Sequence, residues 1–193
     1  MALAVTAYGN KVLRKVCDDI TAEYDGLQVL IDNMWETMYE ASGVGLAAPQ
    51  VNKTIRLFVV DTAQVYEGMN EEDREDLFEE EEGVKEVFIN AQITGESEEF
   101  WAEQEGCLSL PDINGEVERP WSIEIEYYDR DFKKQVKTFS GYNARVIQHE
   151  YDHTEGVLYI DHVSGISKRL MKNKLAKIAE GKVAPKYRMR FAK

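Results

Sequence analysis

The sequence predicts an α+β fold with helices flanking a run of antiparallel strands. An amphipathic helical period opens the chain, short β-branched segments fill its middle, and helical periods return after residue 140. Across residues 25–42 the apolar residues Leu27, Leu30, Ile31, Met34, Trp35, Met38 and Tyr39 recur at three- and four-residue spacing, which puts them on one helical face. Gly43 is a natural stop, and residues 43–50, GVGLAAPQ, read as a loop. Residues 55–61, 86–94, 100–104 and 122–129 are β-branched and partly alternating, so they read as strands. Residues 133–139 form a further strand, paired with the preceding one through a turn. Around Gly141 the period becomes helical, with Tyr142, Val146 and His149 on one side, Ser140 or Asn143 as cap and Gly156 as terminator. A last helix begins near Ser164, carrying Ile166, Leu170, Met171, Leu175 and Ile178 on one face and lysines on the other.

A chain of 193 residues with 44% hydrophobic residues fits one compact domain spanning 1–193. No run approaches the roughly 18 apolar residues of a membrane span, and no basic segment precedes an apolar one at the N-terminus, so a cytoplasmic protein is expected. The two cysteines, Cys17 and Cys107, do not suggest a disulfide framework, which leaves a thiol for metal or catalysis. A net charge of −13 argues against DNA binding over the whole surface. Residues 167–193 nevertheless hold ten of the 23 Lys and Arg and one of the 36 acids, a net of +9 against −22 elsewhere, so the basic helix and tail at about 164–193 stand apart. Residues 71–82, EEDREDLFEEEE, read as a solvated loop or short surface helix.

The segment QHEYDH carries the chemistry. On a helix His149 and His153 lie four apart on one face and can converge on a metal, with Glu150 projecting beside them. Two of the chain's three histidines are used there. A catalytic site generally needs a third protein ligand and an open position. His162, Asp161, Glu155 and Cys107 are the candidates, and spacing alone does not choose among them.

Together with GVGLAAPQ (residues 43–50) and EGCLSLP (residues 105–111), QHEYDH (residues 148–153) resembles the three signature motifs of the peptide deformylase family, in the family's order. The resemblance implies antiparallel and mixed sheets around a central HExxH helix, with Cys107, His149 and His153 as metal ligands. It implies one divalent metal ion, usually Fe2+, with Zn2+, Ni2+ or Co2+ as substitutes, since a sulfur and two imidazoles suit zinc equally well. The implied reaction is hydrolysis of the N-formyl group of formyl-methionyl nascent polypeptides, releasing formate. Glu150 would be general acid/base for the metal-activated water. Gln50 and the Leu108 N–H would donate to the developing oxyanion. Val44, Gly45 and Gly106 would meet the peptide backbone, and Val44, Tyr142 and Val146 would line the methionine pocket.

Arg145 and Tyr151 depart from commoner residues of the family and bear on pocket shape, while Asp152 would point away from the metal and pair with Arg119. The basic C-terminal helix would dock on the ribosome, a salt-sensitive contact. Two rival readings use the same helix: a zinc endopeptidase with its third ligand downstream, and a non-catalytic metal-binding module.

Overall fold

The computed structural model describes residues 1–79 and 81–192. In chain order these form β1 (Val5–Thr6), α1 (Leu27–Glu40), β2 (Gly45–Ala47), β3 (Leu57–Asp61), α2 (Ala63–Gly68), α3 (Glu71–Phe78), β4 (Lys85–Glu96), β5 (Phe100–Cys107), β6 (Leu110–Pro120), β7 (Ser122–Tyr128), β8 (Lys134–Ser140), α4 (Gly141–Thr154), α5 (Gly165–Ala179) and β9 (Met189–Arg190). The order β2-β3-β4-β7-β8 makes an antiparallel sheet, β5 and β6 form a hairpin, and β9 lies parallel to β1. The expected α+β class is therefore found, with both strand orientations. Among the described residues no helix is long and apolar enough to cross a membrane.

Every residue of β3 is buried, because successive side chains enter different cores. Leu57 and Val59 meet Leu30, Ile31, Met34 and Met38 of α1, whereas Phe58 and Val60 meet Ala144, Val146 and Ile147 of α4. A third core joins Leu110, Ile113 and Val117 of β6 to Met171, Leu175 and Ile178 of α5. Eleven of the fourteen residues of α4 are buried, which makes the HExxH helix the centre of the molecule.

Four expectations are corrected. The segment GVGLAAPQ is not a loop: Gly45–Ala47 pair with β3 as β2, and Ala48–Val51 form a 3-10 turn. The strand expected at 100–104 runs on to Cys107 and pairs with β6, whose prolines and Asn114-Gly115 hide its alternating burial. On α5 the buried stripe is Met171, Leu175 and Ile178, whereas Ile166 and Leu170 are 74% and 79% exposed. Leu170 precedes Met171 by one residue and so lies roughly 100° round the helix from it.

The acidic run forms α3, capped by the Asn70 side chain, which accepts from the Asp73 N–H, and it buries Phe78. Its Glu80 lies outside the described residues. Ser140 takes the N-cap position of α4 as expected, but its side chain makes no capping hydrogen bond, and Asn143 lies within the helix. Instead the Glu81 carboxylate accepts from the Ser140 N–H (2.8 Å), the Ser140 hydroxyl (2.7 Å) and the Asn143 amide (2.9 Å).

Candidate active site

Helix α4 presents His149 and His153 from consecutive turns, their ring centroids 5.1 Å apart. Cys107 ends β5 beside them, with Sγ 3.3 Å from His153 Nε2. The ligand atoms of Cys107, His149 and His153 all lie within 4.8 Å of one another, so the three can hold a metal ion. The donor set, a thiol with two imidazoles, fits a divalent transition metal. Two buried atoms beside it, Glu150 Oε2 and His153 Nδ1, have no hydrogen-bond partner among the described residues.

The downstream candidates for third ligand are engaged elsewhere. Asp161 pairs with Arg14, Glu155 with Arg56, and His162 with Asp152 at 2.9 Å.

Glu105 organises the wall behind the ligands. Its carboxylate accepts from His149 Nδ1–H (2.9 Å), from Arg119 Nε (2.6 Å) and Nη2 (3.0 Å), and from Arg145 Nη1 (2.8 Å). Burial would raise the Glu105 pKa, but His149 and Arg119 outweigh it and hold the carboxyl far below its usual range. Burial also opposes charge on His149, yet Cys107 and Glu105 raise its pKa well above the ordinary value. Burial and the neighbouring His149 push His153 the other way. A hydrogen bond to the far ring nitrogen fixes the tautomer and orientation of a ligating histidine, which is the part Glu105 plays toward His149. Arg119 Nη1 also donates to Asp152 at 2.9 Å, so the expected pairing exists.

Glu150 is 4% exposed, and burial lifts its carboxyl to about 7 despite His149 nearby. Gly45 makes room for it, since a Cβ there would sit 2.5 Å from Glu150 Oε1. Gln50 is buried rather than a solvated loop residue. Its Oε1 accepts from the Ala47 N–H (2.8 Å), which directs Nε2 toward Cys107 Sγ (3.4 Å) and Ser109 Oγ (3.3 Å).

A cleft of about 660 Å³ opens over these groups, and Val44, Gly45, Gln50, Gly106, Leu108, Tyr142 and Val146 all line it. Arg145 also lines it, stacked on Trp101 with its guanidinium 4.2 Å from the ring centroid. Tyr151 faces a second cavity beside Asp152 and His162, so it does not shape this cleft. The sequence pattern alone does not single out Glu105, although its place inside the cysteine motif is a usable signal. Tyr187, which also lines the cleft, carried no signal at all.

The sequence model of the polypeptide deformylase family matches residues 2–169. The chain belongs to that family. A peptide deformylase of Christiangramia forsetii is 49% identical over 195 residues, covering 99% of this chain and 96% of that protein. One from Flavobacterium johnsoniae is 50% identical over 194 residues, covering 100% and 97%. Among solved structures, a Plasmodium falciparum peptide deformylase superposes with a TM-score of 0.79 at 34% identity, covering 92% of this chain and 95% of that one. A Legionella pneumophila peptide deformylase gives 0.78 at 30% identity, covering 94% and 98%. The deformylase resemblance carried by the three motifs was thus sound. As a deformylase the protein is a hydrolase that removes N-formyl groups from nascent peptides, and the family depends on a metal.

Proposed function

We propose that the protein hydrolyses the formamide of N-formyl-methionyl peptides and releases formate, using one divalent ion held by Cys107, His149 and His153. The convergence of those three ligand atoms within 4.8 Å, next to a buried Glu150, carries this reading. Iron(II) is the proposed native metal, on the resemblance of the three motifs alone. A bound divalent cation supplies Lewis acidity and a water of lowered pKa.

Glu150 takes the proton of the attacking water and returns it to the leaving amine, a task suited to a carboxyl near neutrality. The Gln50 amide and the Leu108 N–H donate to the oxygen that becomes negative. Gly45 with Val44 on one side and Gly106 on the other meet the extended peptide, and Tyr142 and Val146 line the methionine pocket, a reading supported by their places in the cleft. Residues 1–193 act as one catalytic domain, supported by the pairing of β9 with β1. A cytoplasmic site of action follows from a substrate that is still being synthesised. The exposed Lys168, Arg169, Lys172 and Lys174 of α5 support a salt-sensitive dock on the ribosome.

The test is formate release from a formyl-methionyl peptide by anaerobically purified protein, with metal measured on the same sample. Glu150→Gln should keep one metal per chain and lose about 10²- to 10⁴-fold in kcat. Retained metal in Cys107→Ala would refute the ligand assignment.

A further inference from the structure

The C-terminal tail is built into the molecule rather than hanging from α5. The chain turns at Gly181, whose φ is +70°, and Val183, Met189 and Phe191 pack against the core around Leu110, Ile113 and Val117. Strand β9 then runs along β1, with the Val5 N–H on the Arg188 carbonyl (2.8 Å) and the Ala7 N–H on the Arg190 carbonyl (2.9 Å). Between turn and strand, Ala184 to Tyr187 form one wall of the active cleft.

There the Tyr187 hydroxyl donates to the Leu108 carbonyl at 2.7 Å. Leu108 and Ser109 are the central residues of the turn joining β5 to β6, in which Cys107 and Leu110 are register partners. The central peptide of such a turn makes no hydrogen bond within the turn, and its rotation distinguishes type I from type II. Tyr187 holds the oxygen of that peptide, and the Tyr8 N–H holds the next carbonyl, that of Ser109, at 2.9 Å. Both ends of the chain therefore grip the one short turn that follows the cysteine of the metal cluster.

We propose that Tyr187 is a positioning residue for deformylation: its hydroxyl locks the Leu108–Ser109 peptide and so fixes the backbone that aims the Leu108 N–H and the Cys107 thiol into the cleft. This rests on the oxyanion role proposed for Leu108. Tyr187→Phe removes the hydroxyl and keeps the ring that walls the cleft. One neutral hydrogen bond corresponds to about a five- to tenfold effect. Exchange of the Tyr8 amide, which the Ser109 carbonyl of this turn holds at 2.9 Å, should accelerate by about that factor, with exchange in α4 and α5 unchanged. In the same variant kcat should fall about five- to tenfold, with KM and bound metal within twofold of wild type. Unchanged exchange of the Tyr8 amide, an unchanged kcat, or a rise in KM alone would overturn the proposal. A wild-type protein without formate release, whose turn still loosens in Tyr187→Phe, would sink the functional reading and leave the anchoring of the turn standing.

Discussion

At the scale of single residues, a few buried polar groups have sharply different environments within one small volume. Glu105 is ionised because His149, Arg119 and Arg145 surround it, whereas Glu150 on the adjacent wall, whose Oε2 has no hydrogen-bond partner among the described residues, is lifted by burial to about 7. Opposite displacement of two neighbouring carboxyls is the pattern that separates a structural anion from a proton carrier. The two thiols divide similarly. Cys17 is buried away from the cleft and lifted to about 11 by desolvation, while half-buried Cys107 lines the cleft. Alkylation of metal-stripped native protein at pH 8, followed by peptide mapping, should therefore mark Cys107 and leave Cys17 unmodified. The sign follows from the raised pKa: the Cys17 thiolate is a small fraction at pH 8 and grows only as pH climbs toward 11. Rapid labelling of Cys17 at pH 8 would contradict its placement.

At the scale of elements, the site depends on how closely β2 and the acidic segment approach α4. Gly45 lies so near Glu150 that a methyl group would meet its Oε1 at 2.5 Å and its Cγ at 2.7 Å, so the whole buried side chain would have to shift. Gly45→Ala should lose about 10²-fold or more in kcat, since a small misplacement of a catalytic group is that costly, and should also lower the melting temperature because the added methyl overpacks a buried site. Kinetics alongside a thermal scan would show whether the two effects separate. Glu81 accepts from the N–H and hydroxyl of the N-cap residue Ser140 and from the Asn143 amide, tying down the start of α4 where the Ser140 side chain makes no capping bond. Glu81→Ala should cost about 1 to 2 kcal/mol, the usual worth of a helix N-cap. That corresponds to roughly 2 to 8 °C in Tm for a chain of this size, and an unchanged Tm would remove the capping role.

At the scale of the whole molecule, the proposed metal centre ties α4 to the β5–β6 hairpin, and the hairpin packs on α5 and the tail. A ligand that binds only the folded chain stabilises it by about 2.7 kcal/mol at a hundredfold excess over Kd. Chelation should therefore lower Tm by roughly 5 to 10 °C in the wild type, and the drop should vanish in Cys107→Ala. The net of +9 over residues 167–193 does not mark a separable appendage, because that stretch contributes β9 and a cleft wall. Ribosome docking is best tested by reversing charges on α5, since deleting residues 180–193 would open the cleft.

Local pattern alone determined the amphipathic helices, most of the strands and the pairing of His149 with His153. Each depends on a repeat of two, three or four residues, which the backbone imposes wherever it occurs. The motifs in their order were enough to point to the family and to Cys107 as third ligand. Tertiary structure alone decided that GVGLAAPQ contains a strand, that prolines and glycine do not interrupt β6, that Glu105 is the hub behind His149 and that Tyr187 reaches Leu108. These depend on partners distant in the chain, such as Leu108 and Tyr187, 79 positions apart, and no short-range repeat encodes which distant surfaces meet when the core closes.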